Sequence, residues 1–330
     1  MSGWSGRRAL VTGAGGFIGS HVVEELVRRG ADVRAFVRYT SRGDHGWLED
    51  LAPDVRASVD VYAGDLANPE AVAAATDGAA AILHLGALIP IPYSFRHPRE
   101  FVAANVEGTL NVLEAARRAG VGRMVHTSTS EVYGSAQRVP MDESHPLHPQ
   151  SPYAATKVAA DQLVLSYVRS FELPAVVARP FNTYGPRQSA RAIVPTLATQ
   201  ALARDVVRVG ATSPTRDLTF VTDTAAGIVR CAEADGVVGE VVNLGSGTEV
   251  TIGDLAVKVL EAVGRDVALE TDPARMRPAA AEVDRLLADA AKAGSLLGWQ
   301  PAVPLEDGLR RTVEWLRAHL DRYRPDDYAV

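Results

Sequence analysis

The chain has 330 residues, of which 47% are hydrophobic and 22% charged, enough apolar surface for a sizeable core and about two domains. Its 40 acidic and 34 basic residues give a net charge of −6, which excludes the basic face that general nucleic-acid binding requires. The single cysteine, Cys231, excludes an internal disulfide, and neither a signal peptide nor a membrane-spanning apolar run is apparent. We expect a cytoplasmic globular protein that binds neither nucleic acid nor membrane.

The first half alternates short apolar runs with amphipathic segments. Six buried strands are predicted at 9–11, 33–37, 58–63, 81–85, 124–126 and 175–178. Asn68-Pro69-Glu70 is a helix start, and a long helix with Val102, Val106, Leu110 and Leu113 on one stripe ends at Gly120. Buried strands alternating with helices predict a Rossmann-type, doubly wound α/β fold with a parallel sheet.

The pattern changes after Pro180, where loops lengthen and helices dominate. Helices are predicted at 253–262, 283–297 and 305–320. We therefore divide the chain into a dinucleotide-binding domain, 1–180, and a smaller, mostly helical substrate-binding lobe, 181–330. A strand near 241–244 is expected to return to the main sheet.

A glycine-rich turn follows the first predicted strand and opens the first helix. Its glycines, spaced G-x-x-G-x-x-G, allow a tight turn and let a pyrophosphate approach the positive end of the helix. This context predicts dinucleotide binding by Gly13, Gly16, Phe17, Ile18 and Gly19.

The end of the second strand bears on the choice of nicotinamide cofactor. NAD-binding chains usually have a carboxylate there, whereas this chain has Arg38, Ser41 and Arg42, which could hold a 2′-phosphate. We predict NADP, with NAD as the lesser candidate; the alternative is a solvated basic loop. Asp65, with Leu66, is placed to meet the adenine, although it could equally be a turn aspartate.

The segment after the fourth strand is also assigned to the cofactor, through Leu85 and Ala87. His84 either lines the cofactor cleft or is a buried, hydrogen-bonded histidine. His145 and His148 have no further ligand at metal-binding spacing, so we assign no metal.

Two segments carry candidate catalytic groups. Tyr153 and Lys157 are four apart on one helix face, where the cation can stabilise a phenolate. Thr129, Ser130 and Glu131 follow the fifth strand, at the sheet edge where ligands bind in open α/β folds.

Together with Arg179-Pro-Phe-Asn-Thr-Tyr-Gly-Pro-Arg187, these motifs resemble the extended short-chain dehydrogenase/reductases that act on nucleotide sugars. Glu131 before Val-Tyr-Gly is the pattern of the 4,6-dehydratases. Segments 89–94 and 179–191 are most similar to the N-acetylglucosamine dehydratases of the legionaminic-acid pathway. The loop at Arg38 is similar to that of GDP-mannose 4,6-dehydratases, which use NADP. Ser130 departs from the dTDP-glucose pattern, which has aspartate there; serine also occurs in the GDP-mannose group.

The resemblance implies a 4,6-dehydratase acting on UDP- or GDP-N-acetylglucosamine, with a tightly bound cofactor that is regenerated each turnover. Tyr153 would take the proton of the carbon-4 hydroxyl, Lys157 would lower the phenol's pKa, and Thr129 would hydrogen-bond the same hydroxyl. Glu131 would remove the hydrogen at carbon 5. The alternatives are a UDP-glucuronate decarboxylase, a 4-epimerase and, in a different class, a non-catalytic NADP-binding regulator.

The resemblance also assigns the substrate's remaining contacts and the oligomer. The residues assigned to the substrate are Ser94, Asn182, Arg187, Arg216 and Arg277. Surface salt bridges are the alternative for the arginines. The apolar stripes near Val106 and Leu163 imply a homodimer through a four-helix contact.

Overall fold

The computed structural model describes residues 3–276 and 282–323. Its strands are β1 (Arg8–Thr12), β2 (Asp32–Arg38), β3 (Val59–Gly64), β4 (Ala81–His84), β5 (Arg123–Thr127), β6 (Ala175–Pro180), β7 (Asn182–Tyr184), β8 (Val206–Val209), β9 (Thr215–Phe220), β10 (Val241–Leu244), β11 (Glu249–Thr251) and β12 (Ala268–Thr271). Its α-helices are α1 (Phe17–Arg28), α2 (Pro53–Ala57), α3 (Pro69–Thr76), α4 (Ile91–Arg96), α5 (Pro98–Phe101), α6 (Gly108–Ala119), α7 (Pro152–Phe171), α8 (Ile193–Ala203), α9 (Val221–Glu233), α10 (Ile252–Val263), α11 (Ala291–Leu297) and α12 (Leu305–Ala318). Short 3-10 helices lie at Gly46–Asp50, Ser130–Tyr133, Pro273–Arg275 and Leu320–Arg322, and Val102–Glu107 is a π-helix.

A parallel sheet in the order β10-β6-β5-β4-β1-β2-β3 forms the centre of the molecule. Alternate residues of its strands point to opposite faces: Val11 packs in the cluster that includes α1 and α9, and Leu10 in the cluster of α3, α6 and α7. Both faces are therefore covered, which confirms the predicted Rossmann-type α/β class. The strand order places the carboxyl ends of β1, β4, β5 and β6 along one edge.

The C-terminal lobe has its own core, formed mainly by α8, α10 and α12 against β8 and β9. The sequence predicts a mostly helical lobe, but β11-β9-β7 and β12-β8 form two additional small sheets. These strands are three to six residues long. β7, β9 and β11 consist mostly of polar residues, so they lack the apolar runs from which the strands of the main sheet were predicted.

The helix predicted at 283–297 is wrong over most of its length. Only Ala291–Leu297 is helical, whereas the preceding residues are extended and form bridges to Met141 and Thr215. The backbone N–H of Ala288 donates to the buried carboxylate of Asp217, 3.1 Å away. These tertiary hydrogen bonds replace those that an amphipathic helix would have made.

The long helix predicted around Val106 begins as the π-helix and continues as α6 to Gly120, which adopts the left-handed conformation with φ of +64°. No helix within residues 3–276 and 282–323 is long and apolar enough to cross a membrane. The cytoplasmic location stays a prediction.

Candidate active site

The glycine-rich turn joins β1 to α1 and brings two loops together backbone to backbone. Gly13 has a φ of +68°, and a Cβ there would lie 2.8 Å from the Cα of Gly86, in the loop after β4. A Cβ on Gly19 would lie 2.1 Å from the carbonyl oxygen of Gly13. The first turn of α1 carries no acidic side chain and no side-chain cap, so its positive end is not neutralised. The turn thus fits a pyrophosphate group.

The loop after β2 carries the predicted 2′-phosphate ligands. The side chains of Arg38, Ser41 and Arg42 are exposed and form no hydrogen bond or ion pair among the described residues. Asp65 accepts a hydrogen bond from the backbone nitrogen of Ala67 at 2.9 Å, which is the turn role considered above. All four assignments to the cofactor stay predictions.

His84 lies beneath the loop after β4. Its Nδ1 is 2.7 Å from the Thr12 hydroxyl and its Nε2 is 3.1 Å from the Thr109 hydroxyl. Burial lowers the pKa of this imidazole well below its ordinary value. His84 is therefore the neutral, hydrogen-bonded histidine of the second alternative. The assigned residues Leu85 and Ala87 follow it, and Leu85 donates its backbone N–H to the Thr12 carbonyl at 3.2 Å.

Asn105 is a positioning residue that the sequence analysis missed. Its side-chain oxygen accepts the Leu88 backbone N–H at 2.7 Å. Its side-chain nitrogen donates to the Leu88 carbonyl at 2.9 Å and to the Thr156 hydroxyl at 3.0 Å. That hydroxyl in turn donates to the Tyr153 carbonyl. The π-helix carries this buried amide. A lone asparagine within an apolar stripe was the available signal.

Thr129 and Glu131 are held together by a 3-10 helix at the end of β5. Thr129 caps this helix, accepting the Glu131 backbone N–H on its hydroxyl at 3.2 Å. Both side chains are half-buried, whereas Ser130 is buried. The hydroxyl of Thr129 also lies near enough to the phenol of Tyr153 to act on its pKa. The structure thus brings together three of the predicted catalytic residues.

Tyr153 and Lys157 lie in the first turns of α7, which begins with Pro152 and is capped by Ser151, whose hydroxyl accepts the Ala154 N–H at 3.1 Å. Burial lowers the pKa of Lys157 to about 8. Its ammonium donates to the carbonyl oxygen of Thr127 at 2.7 Å.

The expectation that Lys157 lowers the pKa of Tyr153 needs correction for this arrangement. Burial raises the pKa of Tyr153 above its ordinary value, the Thr129 hydroxyl opposes the rise, and the negative charge of Glu131 adds to it. The reason is that the phenol is fully desolvated, while the lysine ammonium is directed to the Thr127 carbonyl.

A buried polar cluster lies behind these catalytic candidates. Its members are Ser128, Asp161, Arg179, Tyr133 and Asn243. Arg179 donates to Asp161 at 2.8 Å and to the Tyr133 hydroxyl at 3.0 Å, and Tyr133 donates to Asn243 at 2.8 Å. The sequence analysis did not assign Asp161 a role, although an acid one helical turn after Lys157 was a usable signal.

The residues assigned to the substrate lie in different environments. Asn182 begins β7, and its buried Oδ1 has no hydrogen-bond partner among the described residues. Arg187 forms an ion pair with Glu24 of α1 at 2.9 Å, and Arg216 approaches Glu282 at 3.3 Å. The buried hydroxyl of Ser94 donates to the carbonyl of Ile91 at 2.7 Å.

Arg277 lies outside the described residues. The substrate assignments stay predictions. For the arginines, the alternative to substrate binding is a salt bridge, and Arg187 forms one with Glu24. Within residues 3–276 and 282–323, no group of three or more His, Cys, Asp or Glu side chains could hold a metal ion.

A parallel Rossmann-type sheet with Tyr-x-x-x-Lys and a threonine at the end of β5 defines an extended short-chain dehydrogenase/reductase. The family described as GDP-mannose 4,6 dehydratase matches residues 10–312, and the chain belongs to that family. This confirms the resemblance inferred from the motifs.

Relatives of known name include both dehydratases and epimerases. A dTDP-glucose 4,6-dehydratase of Streptomyces antibioticus is 37% identical, covering 96% of this chain and 94% of the relative. A UDP-glucose 4-epimerase of Mycolicibacterium smegmatis is 34% identical, covering 94% and 98%. The structure of the dTDP-glucose 4,6-dehydratase DesIV of Streptomyces venezuelae, with NAD bound, has a TM-score of 0.86 at 33% identity and covers 96% of this chain and 99% of DesIV.

Proposed function

We propose that the protein is a nucleotide-sugar 4,6-dehydratase, which forms a 4-keto-6-deoxy sugar nucleotide. The observation that carries this proposal is that Glu131 lies on the short helix that Thr129 caps, where its negative charge acts on the Tyr153 phenol of α7. Inversion at carbon 4 needs one acid–base group, whereas water loss needs a second one at carbon 5. Membership of the 4,6-dehydratase family supports the same reaction.

The chain's own residues supply the proton transfers. A bound nicotinamide would accept a hydride and later return it. Tyr153 takes the proton of the carbon-4 hydroxyl, and Thr129 orients that hydroxyl by a hydrogen bond. The resulting ketone makes the hydrogen at carbon 5 acidic, and Glu131 removes it as general base. The hydroxyl at carbon 6 takes up a proton and leaves as water, and the proton that Tyr153 gained from the carbon-4 hydroxyl balances this uptake. Glu131 then returns its proton to carbon 5, and the hydride would return to carbon 6.

A separate question is which sugar nucleotide the proposed dehydratase uses. The motifs favour UDP- or GDP-N-acetylglucosamine, whereas several named relatives are dTDP-glucose dehydratases. The protein would be incubated with UDP-, GDP- and dTDP-sugars, including dTDP-glucose, both N-acetylglucosamine forms and UDP-glucuronate, and analysed by mass spectrometry. Loss of one water from one sugar nucleotide supports the proposal and names the substrate. Loss of carbon dioxide from UDP-glucuronate would identify a decarboxylase instead.

An unchanged mass throughout would contradict the dehydratase and leave two alternatives. A 4-epimerase would show a new isomer by chromatography, and the relatives named as UDP-glucose 4-epimerases support testing for it. The non-catalytic regulator would show neither change. The catalytic groups Thr129, Glu131, Tyr153 and Lys157 are all present, which favours an enzyme.

NADP stays our preferred cofactor, because the β2 end offers Arg38 and Arg42 with free guanidinium groups and no carboxylate at the strand tip. The neighbour DesIV has NAD bound, so the comparison supports a nicotinamide cofactor of either kind. The Arg38→Ala variant should weaken NADP binding about tenfold or more while leaving NAD binding unchanged. Equal affinity of the stripped wild-type protein for the two cofactors would refute the preference.

A homodimer through the α6–α7 face is also proposed. Val102, Leu110 and Phe171 are 44%, 38% and 51% exposed, although the sequence places the first two on an apolar stripe. Such exposed apolar side chains on neighbouring helices are typical of a subunit contact.

A further inference from the structure

Asp161 is a fully buried carboxylate that connects three elements of the candidate site. It lies on α7 one helical turn after Lys157. Its Oδ2 accepts hydrogen bonds from the Ser128 hydroxyl at 2.8 Å and from Arg179 of β6 at 2.8 and 3.1 Å. Ser128 immediately precedes Thr129, so this one oxygen links the catalytic end of β5 to the helix that carries Tyr153 and Lys157.

The other carboxylate oxygen of Asp161 lies near His126, which in turn lies near the ammonium group of Lys157. Asp161 Oδ1 is 3.4 Å from His126 Nε2, and the same nitrogen is 3.4 Å from Lys157 Nζ. Asp161 Oδ1 and His126 Nδ1 form no hydrogen bond with any described residue. His126 therefore lies between the carboxylate and the ammonium.

Titratable and charged side chains near Lys157 lie on its own helix and on the elements packed around it. Tyr153 and Asp161 lie on its own helix, His126 on β5, Arg179 on β6, His84 on β4, and Glu131 on the 3-10 helix. Burial lowers the pKa of His126 to about 4 and that of His84 well below its ordinary value, so both histidines are neutral at pH 7.

Asp161 opposes the effect of burial on Lys157. Burial lowers the lysine pKa to about 8, and the negative charge of Asp161 acts to raise it. Burial also acts to raise the pKa of Asp161 itself, but the nearby His126 imidazole and the charge of Arg179 lower it, so the carboxyl stays ionised. Removing this charge should make Lys157 easier to deprotonate.

We propose that Asp161 is a positioning residue of this active site, which aligns the Thr129–Glu131 segment with α7 and keeps Lys157 in its charged form. The part of this proposal that concerns catalysis rests on the proposed function. The part that concerns the charge of Lys157 can be tested without turnover.

The direct test is a lysine titration of the holoprotein. The chain contains only three lysines, Lys157, Lys258 and Lys292, so labelling lysine with ¹³C at Cε gives three signals, and a Lys157→Met sample assigns one of them. In Asp161→Asn, the Lys157 midpoint should fall by roughly one pH unit. The matched control, Ser128→Ala, removes a hydrogen bond to the same carboxylate but keeps its charge, and should leave the midpoint unchanged. An unmoved midpoint in Asp161→Asn would overturn the proposal.

Asp161→Asn leaves the Arg179 guanidinium buried without a counterion and could unfold the chain. The double variant Asp161→Asn/Arg179→Gln removes both charges of this pair. It should show the same lowered Lys157 midpoint, and a wild-type midpoint in this variant would also overturn the proposal.

The catalytic readout is the pH profile of kcat for water loss. In Asp161→Asn the alkaline limb should move to lower pH, and Asp161→Glu, which keeps the charge, should restore it. Ser128→Ala should lower kcat more than it changes KM, because it loosens only the Thr129–Glu131 segment. The alkaline limb of its pH profile should stay at the wild-type pH. An unmoved limb in a folded Asp161→Asn enzyme would refute the catalytic part. A wild-type protein that converts no sugar nucleotide would refute the proposed function, while the lysine titration would still test the charge.

Discussion

In the proposed reaction, Glu131 is the residue that distinguishes water loss from simple inversion at carbon 4. Glu131 lies on the helix that Thr129 caps, and its negative charge acts on the Tyr153 phenol. The variant Glu131→Gln keeps the shape of the side chain but cannot act as a base. We expect it to lose water elimination by roughly 10²- to 10⁴-fold, since this is the usual contribution of a general base.

This loss would be measured by mass spectrometry on the substrate identified by the sugar-nucleotide panel. The matched control is Glu172→Gln at the exposed end of α7, which should dehydrate normally. If Glu131→Gln dehydrated at the wild-type rate, the assignment of the base would be wrong. At the scale of single residues, the sequence predicts which side chains are candidate catalytic groups. It does not predict the raised pKa of Tyr153, because that depends on burial by the whole fold.

Helix α3 provides a test at the scale of an element. The predicted start at Asn68-Pro69 is confirmed: the Asn68 side chain accepts the N–H groups of Glu70 and Ala71 at 3.0 and 3.1 Å. Asn68→Ala should lower the free energy of unfolding by about 1 kcal/mol, because these donors lose their partner. Asn68→Ser, which caps equally well, should cost almost nothing. Urea denaturation measures both, and an alanine variant as stable as the serine variant would contradict the capping role.

The elements predicted best are those whose local signals agree with their packing. Asn68 and the glycine turn at Gly13 are such cases, because capping and positive φ are decided by neighbouring residues. Residues 283–290 are the opposite case. Their apolar spacing favours a helix, but their backbone groups hydrogen-bond to the side-chain carboxylate of Asp217 and to the backbone of Met141, which only the folded chain brings near.

The two lobes of the molecule are linked by Arg187, whose guanidinium pairs with Glu24 on α1 at 2.9 Å. Burial acts to raise the pKa of Glu24, but hydrogen bonds and charge from His21 and Arg187 lower it to about 2, against an ordinary value of 4.5. A lowered carboxyl pKa stabilises the fold above pH 4.5, and this contribution is lost as the pH falls towards 2.

Glu24→Gln should therefore lower the free energy of unfolding at pH 7 by roughly 1–2 kcal/mol, allowing for partial exposure. The difference from wild type should shrink as the pH falls below about 4.5. Urea denaturation at several pH values measures this, with Arg187→Ala as the companion variant. A difference independent of pH would contradict the charged link.

Assembly is the second prediction for the whole molecule. Sedimentation at micromolar concentration should give about twice the 35.1 kDa of one chain. Leu110→Glu should halve that mass, since a charge on the α6–α7 face cannot be buried without a partner. Val257→Glu, on the exposed face of α10, is the matched control and should leave the mass unchanged. A wild-type mass of about 35 kDa would refute the dimer.

The sequence by itself determined the α/β class, the glycine turn and the placement of Tyr153 and Lys157 one turn apart on the same helix, because each depends on spacing within one segment or on strand–helix alternation. Only the tertiary structure decided the surroundings of those groups. Asp161, His126 and Asn105 lie on different elements from most of their partners, and the partners of Arg187 lie more than 160 residues away along the chain. Such contacts leave no local pattern, because burial and charge at the site depend on which strand ends the sheet order places side by side.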